Sequence, residues 1–197
     1  MRVAFYAPLK PPDSPVPSGD RKMARQLIAC LRSKGYDVKL ISRLKTREPH
    51  GLRHKQIIIK NRSDKIIERL INRYLEANVW RPDVWITYHM FYKAPDWLGP
   101  AISKALKIPY VIAEASHAPK RNKGEWSFNQ EQVVLALKHA DVIIGLNSND
   151  ECCVKEVISS NCTYAFIKPF VGPDAPTSCG NNRALFREEV CQKLSIP

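Results

Sequence analysis

The chain has 197 residues, 44% of them hydrophobic, which is enough apolar material for the core of one ordinary domain. Its 31 Lys and Arg outweigh 19 Asp and Glu, and the resulting formal charge of +12 favours anionic partners such as nucleotides, phosphorylated sugars or lipid headgroups. A basic domain without a specific anionic partner is an equally good interpretation of that charge. No apolar run approaches the roughly 18 residues of a membrane span, and the pattern after Met1 predicts a strand rather than a signal peptide. We therefore expect a cytoplasmic protein, with peripheral attachment to a membrane as a further option.

The six cysteines predict neither a metal site nor disulfides. None belongs to a C-x-x-C pair or has a His at ligand spacing, and Cys152 and Cys153 fall on a predicted helix. Reduced thiols, no metal and no cofactor are expected. No nucleic-acid partner is expected either, because positive charge is the only feature that would favour one.

The first forty residues predict a strand, a long loop, a helix and a second strand. Residues 2–7 are apolar, residues 8–20 are rich in proline, and residues 21–34 carry apolar side chains at helical spacing. Gly35 then ends the helix before a strand pattern at residues 36–41. Such a unit opens a parallel sheet, in which ligands bind at the carboxyl ends of the strands, where the long loop lies.

Strands and helices keep alternating along the rest of the chain. Strands are predicted at residues 84–88, 109–114, 141–146 and 164–167, and helices at 63–78, 95–106, 130–139, 149–160 and 183–194, with a linker-like stretch at 168–181. The state of residues 56–60, which include three consecutive isoleucines, stays open between strand and helix. Continuously apolar strands are typical of a sheet covered on both faces. The predicted fold is α/β, a Rossmann-like, doubly wound and mostly parallel sheet with right-handed crossovers.

Eight short segments follow one another in an order that covers nearly the whole chain. They are residues 3–6 (VAFY), 17–20 (PSGD), 32–38 (RSKGYDV), 81–83 (RPD), 108–112 (IPYVI), 140–143 (ADVI), 183–187 (RALFR) and 194–197 (LSIP). Together they resemble the N-terminal, acceptor-side domain of the GT-B glycosyltransferases of the retaining family four. The resemblance implies that residues 1–180 form this domain and that residues 181–197 form a terminal helix and the start of a linker to a C-terminal donor-binding domain.

The resemblance implies a transferase that moves a hexose from a nucleotide sugar to a glycan, lipid or small-molecule acceptor with retention and without a metal. In such enzymes the departing phosphate helps to deprotonate the acceptor, so no protein nucleophile is needed. The chain alone would be inactive or weakly active, because the second domain, in cis or in trans, supplies most of the donor site. A non-catalytic acceptor- or partner-binding module of a split glycosyltransferase is the alternative. A dehydrogenase ranks last, since no G-x-G-x-x-G follows the first strand.

The donor half of this family carries an E-x7-E motif, and Glu68 and Glu76 match its spacing. They lie on a predicted helix of the first half, so we ascribe the match to chance.

Three residues at the start of the first helix are candidate donor-phosphate contacts. Gly19 would let backbone N–H groups approach a phosphate, and Asp20 follows it. A cation in the first turn, Arg21, opposes the helix dipole and therefore indicates an external anion. The alternatives are a simple turn glycine, with Ser18 or Asp20 as the helix cap, and a solvated arginine.

Further candidates follow the next two strands. The aromatic and basic loop after residue 88 suits the stacking of a sugar ring, and the basic loop formed by Lys120, Arg121 and Lys123 suits an anionic acceptor. The resemblance implies that His117 contacts the donor sugar near O6, and it is the catalytic candidate. The candidate acceptor or sugar contacts are Tyr88, His89, Tyr92, Lys93, Glu114, Ser116 and Lys120. Packed loops, a structural histidine, and a Glu114 that merely orients His117 are the alternatives.

Overall fold

The computed structural model describes residues 1–170 and 180–194, with side chains described for residues 1–170 and 184–193. The strands are β1 (Arg2–Tyr6), β2 (Asp37–Ser42), β3 (Val84–Met90), β4 (Tyr110–Ala115), β5 (Val142–Gly145) and β6 (Thr163–Phe166). The helices are α1 (Gly19–Ser33), α2 (Arg53–Leu75), α3 (Gly99–Leu106), α4 (Ser127–His139), α5 (Glu151–Lys155) and α6 (Gly180–Leu194), with single 3₁₀ turns at Pro119–Arg121 and Ser148–Asp150.

The six strands form one parallel sheet in the order β2-β1-β3-β4-β5-β6. The prediction of a Rossmann-like, doubly wound sheet is confirmed. The chain leaves β1 towards β2 on one side and returns to β3 on the other, so the strand order reverses between β1 and β3. A crevice opens at the carboxyl ends of the strands at such a point, which is where sheets of this kind bind ligands.

The two faces of the sheet are covered by different helices. Side chains of β1 alternate, so Val3 and Phe5 belong to one apolar cluster, and Ala4 and Tyr6 to another. Helix α1 packs on the first face, and helices α2, α3 and α4 pack on the second. The helix residues that contribute buried side chains are Ala24 and Ile28 on α1, Leu70 and Tyr74 on α2, Ile102 and Leu106 on α3, and Val133 and Leu137 on α4.

Helix α2 settles the question left open at residues 56–60, because it begins at Arg53 and includes the three isoleucines. A local contact before the helix and one tertiary contact hold its first turn. The buried Glu48 carboxylate accepts hydrogen bonds from the N–H groups of His50 and Leu52, the latter at 2.9 Å, and the Gln56 amide donates to the Glu125 carbonyl at 2.8 Å. These contacts extend the helix across residues whose own preference is for strands.

Other helix ends also differ from the predictions. Helix α3 begins at Gly99 rather than residue 95, because the Asp96 carboxylate accepts from the N–H groups of Leu98 and Gly99 at 2.8 and 2.9 Å. Helix α5 has five residues instead of the twelve predicted, and the chain after it forms turns in which Val157 N–H donates to the Val154 carbonyl and Cys162 N–H donates to the Ser159 carbonyl. Helix α4 begins at residue 127 rather than 130.

Most of the predicted linker at residues 168–181 lies outside the described residues, and so do the last residues of the segment at 194–197. Helix α6 begins at residue 180 instead of 183, and the domain boundary near residue 180 stays a prediction. None of the described helices is both long and apolar enough to cross a bilayer.

Candidate functional site

An open pocket of about 610 Å³ lies at the carboxyl ends of the central strands, beside the start of α1. Its lining comes from five separate parts of the chain, namely α1 and the ends of β3, β4, β5 and β6. The lining residues are Gly19, Asp20, Met23, Tyr88, Glu114, Leu146, Asn147, Ser148, Phe166 and Pro169. The pocket is therefore where the sheet topology predicts a ligand.

The start of α1 forms one wall of the pocket. Ser18 is the residue that caps the helix, because its Oγ accepts a hydrogen bond from Arg21 N–H at 3.2 Å. Gly19 is the first helical residue, and a Cβ built on it would meet no atom within 4 Å. The missing side chain therefore leaves open space that another molecule can occupy against the backbone.

His89 joins the two carboxylates of the pocket. Its Nδ1 lies 2.8 Å from Asp20 Oδ1 and 3.9 Å from Glu114 Oε2. A carboxylate only accepts hydrogen bonds, so the His89 Nδ1 carries the proton that is donated to Asp20. These three residues, the pocket triad, are each partly exposed, with 23 to 35% of the side chain accessible. They connect α1, β3 and β4 at the mouth of the crevice.

The backbone is in a left-handed conformation at two of these residues, with φ of 58° at His89 and 59° at Glu114. Tyr88 pairs with Ala113 and Met90 pairs with Ala115, so His89 and Glu114 stand opposite each other on neighbouring strands. The left-handed conformation costs a non-glycine residue about 1–2 kcal/mol. Strain of this kind is concentrated at functional sites, and here it occurs at two adjoining positions of one pocket.

Tyr88 remains a hydrogen-bond donor in this environment. Burial raises the pKa of its phenol above the ordinary range, and the nearby Glu114 carboxylate raises it further. Tyr88 and Glu114 both line the pocket, so a neutral phenol stands beside one of its two carboxylates.

The catalytic candidate, His117, is buried and is not a lining residue of the pocket. Its Nδ1 lies 3.1 Å from the Cys153 carbonyl, which only accepts, so Nδ1 donates. The other ring nitrogen, Nε2, is also buried and has no hydrogen-bond partner among the described residues. Ser116 is half-buried and hydrogen bonds to Asp150. Neither His117 nor Ser116 therefore lines the pocket, and their predicted roles stay predictions.

A second group of candidates lies in the loops after β3 and β4 and forms what we call the cationic-aromatic cluster: Tyr92, Lys93, Arg121 and Trp126. The rings of Tyr92 and Trp126 pack edge to face, with centroids 5.1 Å apart. Lys93 Nζ lies 5.5 Å from the Trp126 ring centroid, and the Arg121 guanidinium carbon lies 5.0 Å from that of Tyr92. These distances are in the range of cation–π contacts.

The remaining basic candidates lie elsewhere. Arg21 lines a separate pocket at the start of α1, together with Lys22 and Arg25, and is not among the residues that line the pocket beside Asp20. Lys120 is exposed on the 3₁₀ turn that precedes α4. Glu68 and Glu76 lie towards the C-terminal end of α2, which leads into the amino end of β3, whereas the pocket lies at the carboxyl ends of the strands.

Sequence reasoning missed several residues of the pocket and one residue of the cationic-aromatic cluster. Asn147, Ser148 and Phe166 follow β5 and β6, so the strand-end rule that selected Tyr88 and Glu114 could have found them. Trp126 carries no such signal, because it meets Tyr92 only through the folding of two loops.

Within residues 1–170 and 184–193, no three His, Cys, Asp or Glu side chains are grouped as a metal site would require. No family model matches the sequence, and no curated protein is significantly similar to it.

Proposed function

We propose that this chain is the acceptor-side domain of a retaining GT-B glycosyltransferase and that the pocket at the strand ends holds the hexose during its transfer from a nucleotide sugar. The observation that carries the proposal is the set of hydrogen-bonding groups in one pocket: the Asp20 and Glu114 carboxylates, the Asn147 amide and the Ser148 hydroxyl. Carboxylates and amides accept hydrogen bonds from neighbouring sugar hydroxyls, and Met23 and Phe166 offer apolar contact for the C–H face of a ring.

The pocket triad would orient the groups that meet the sugar. His89 holds Asp20 through its Nδ1–H at 2.8 Å. Asp20 therefore has a fixed direction before a ligand arrives, and this preorganisation lowers the entropic cost of binding.

The charge of the pocket supports a division of labour between two domains. None of the described lining residues is a Lys or Arg, whereas two are carboxylates. A nucleotide diphosphate would be repelled there unless cations from elsewhere neutralised it, since electrostatic stabilisation of the departing phosphate is the main task in this chemistry. We assign those cations to a donor-binding domain, joined to this one in cis or in trans.

The same observation supports a second candidate, a non-catalytic subunit that binds an acceptor and docks to a separate donor-binding subunit. The two candidates differ in covalent connection. Retrieval of the chain from its source with a glycosyltransferase subunit bound to it would favour the split arrangement, and transfer activity of a single polypeptide containing this chain would exclude it.

Titration of the chain with hexoses, UDP-hexose and GDP-hexose, followed by ¹⁵N NMR, tests the proposal. We expect weak saturable binding of a hexose that shifts the Gly19 amide, and no more than about a 10-fold gain from the nucleotide part, because the diphosphate finds no cations in the pocket. D20N and E114Q should each abolish the response, whereas D64N, which alters an exposed residue of α2, should leave it unchanged. Tight binding of the nucleotide alone would contradict the proposal, as would hexose binding that survives both pocket substitutions.

A further inference from the structure

We infer that the cationic-aromatic cluster binds an anionic group on the acceptor, a phosphoryl or carboxylate group carried by a sugar. The inference deepens the proposed function and rests on it, because it names the chemical class of the acceptor. It would make the acceptor an anionic sugar that lies across the loops after β3 and β4, with its uncharged end towards the pocket.

Two cations gather at one aromatic ring. Lys93 lies 5.9 Å from the Tyr92 ring centroid and Arg121 lies 5.0 Å from it, so both positive groups contact the same ring. Within the described parts of the chain, neither forms an ion pair. The aromatic faces offset part of the repulsion between the cations, and a bound anion would remove the rest.

Arg121 carries an unused hydrogen-bond donor. The Nε–H of Arg121 is buried and has no partner among the described residues. Leaving a buried donor unpaired is unfavourable, so a ligand oxygen that accepts from it would remove that cost. The guanidinium fork matches the paired oxygens of a carboxylate or a phosphoryl group, which makes these groups its best partners.

The neighbouring cations provide a contrast within the same loop. Lys120 and Lys123 are exposed, as solvated surface lysines normally are, and neither contacts a ring of the described residues. Arg121 is half-buried, because the 3₁₀ turn Pro119–Arg121 directs it towards Tyr92. Lys93 is half-buried as well, although lysine usually keeps its ammonium group in water.

A row of rings joins the cluster to the pocket. Tyr88, His89, Phe91, Tyr92 and Trp126 follow one another with centroid distances of 5.9, 5.3, 5.6 and 5.1 Å. Tyr88 and Trp126 are buried at the two ends of the row, and the partly exposed rings of His89, Phe91 and Tyr92 between them provide stacking surface for a sugar. An acceptor held at the cluster by its charge could therefore extend along this row to the pocket triad, where the proposed transfer takes place.

Calorimetric titration of the chain with glucose 6-phosphate, glucuronate and glucose at low ionic strength tests the inference. At least one anionic sugar should bind about 10-fold more tightly than glucose, since a charge-assisted hydrogen bond contributes that much. The phosphate and carboxylate arms identify the charged group. K93Q and R121Q should reduce binding of the anionic sugar to the level of glucose, and R121K, which keeps the charge but loses the fork, should give an intermediate value.

The control is R62Q, which removes the same charge from an exposed position on α2 and should change the affinity by less than about 2-fold. Equal losses in R62Q and R121Q would overturn the inference, since they would reflect net charge alone. So would equal affinities for glucose and both anionic sugars, or an indole N–H resonance of Trp126, assigned with W126F, that does not move on titration.

The outcomes separate this inference from the proposed function. If the anionic sugar binds through Arg121 while D20N and E114Q have no effect on hexose binding, the anion site stands and the proposed function fails. If the hexose response depends on Asp20 and Glu114 but no anionic sugar depends on Lys93 or Arg121, the anion site fails alone.

Discussion

Two carboxylate clusters occur near the ends of β3 and β4, and they differ in how fully their oxygens are used. Asp96 is completely buried and accepts four hydrogen bonds, from Thr87, Tyr110 and the N–H groups of Leu98 and Gly99. Asp20 and Glu114 are partly exposed, and among the described residues Asp20 accepts one side-chain hydrogen bond, from His89, whose Nδ1 lies 3.9 Å from Glu114. The first carboxylate holds the fold together, and the other two keep oxygens free for a ligand.

The backbone conformation also differs between the surroundings of Asp96 and those of the pocket carboxylates. Around Asp96 the residues are in ordinary conformations, whereas His89 and Glu114 are both left-handed. Burial raises the pKa of Asp96, and its four hydrogen bonds act in the opposite direction. The comparison teaches that hydrogen-bond saturation, rather than the presence of a carboxylate at a strand end, distinguishes a structural group from a site group.

D96A should produce the largest effect. It leaves the Thr87 and Tyr110 hydroxyls and the first turn of α3 without their shared acceptor, and we expect a loss of about 3 kcal/mol in the free energy of unfolding. Urea denaturation measures it. E114A, which removes a carboxylate of the pocket, is the matched comparison and should lower stability by much less. Equal losses would remove the distinction between the two clusters.

G99A should destabilise the fold by about 2 kcal/mol through overpacking. A Cβ there would overlap Asp96 and Tyr110 and lie 2.8 Å from Trp85 Nε1. The control is G19A, since a Cβ at Gly19 meets nothing within 4 Å and should not lower the unfolding temperature. A thermal melt of both variants measures the difference, and a destabilised G19A would contradict the open space assigned to the pocket.

Replacing Glu114 by glycine should relieve the left-handed strain. E114G should be more stable than E114A by about 1 kcal/mol, because both lose the carboxylate and only alanine keeps the Cβ that disfavours positive φ. Both variants should fail to bind hexose. An E114A that is as stable as E114G would show that the backbone at this position stores no strain.

The smallest effect concerns an ion pair at the start of β1, outside both clusters. The Arg2 guanidinium and backbone N–H donate to Asp83, and these hydrogen bonds lower the Asp83 pKa from 3.8 to about 2. Because the folded state binds this proton more weakly than the unfolded state, the stabilisation is present above about pH 4 and is lost as pH falls towards 2. The unfolding temperatures of the unsubstituted chain and D83N should therefore differ slightly at pH 5 and converge near pH 2. A difference that persists at pH 2 would contradict the assignment.

The pattern of the sequence was sufficient for the fold class, and less so for element ends. Apolar runs predicted all six strands, and the helical segments between them predicted a mostly parallel sheet, since strand direction follows from the alternation of strands and helices along the chain. The start of α2 was not predictable in the same way. Three isoleucines favour a strand locally, and the Gln56–Glu125 contact that anchors the helix just before them joins residues 69 positions apart in the sequence.

The candidate site, too, was predictable from the sequence only in part. The rule that parallel strands bind ligands at their carboxyl ends selected Gly19, Asp20, Tyr88 and Glu114 from the sequence, and all four line one pocket. Only the tertiary structure decided that His89 joins the two carboxylates, that His117 is buried, and that Arg121 and Lys93 meet on the Tyr92 ring. The reason is physical: strand order fixes which chain segments reach one edge of the sheet, whereas side-chain direction and burial depend on loops whose conformations are set by contacts between distant residues.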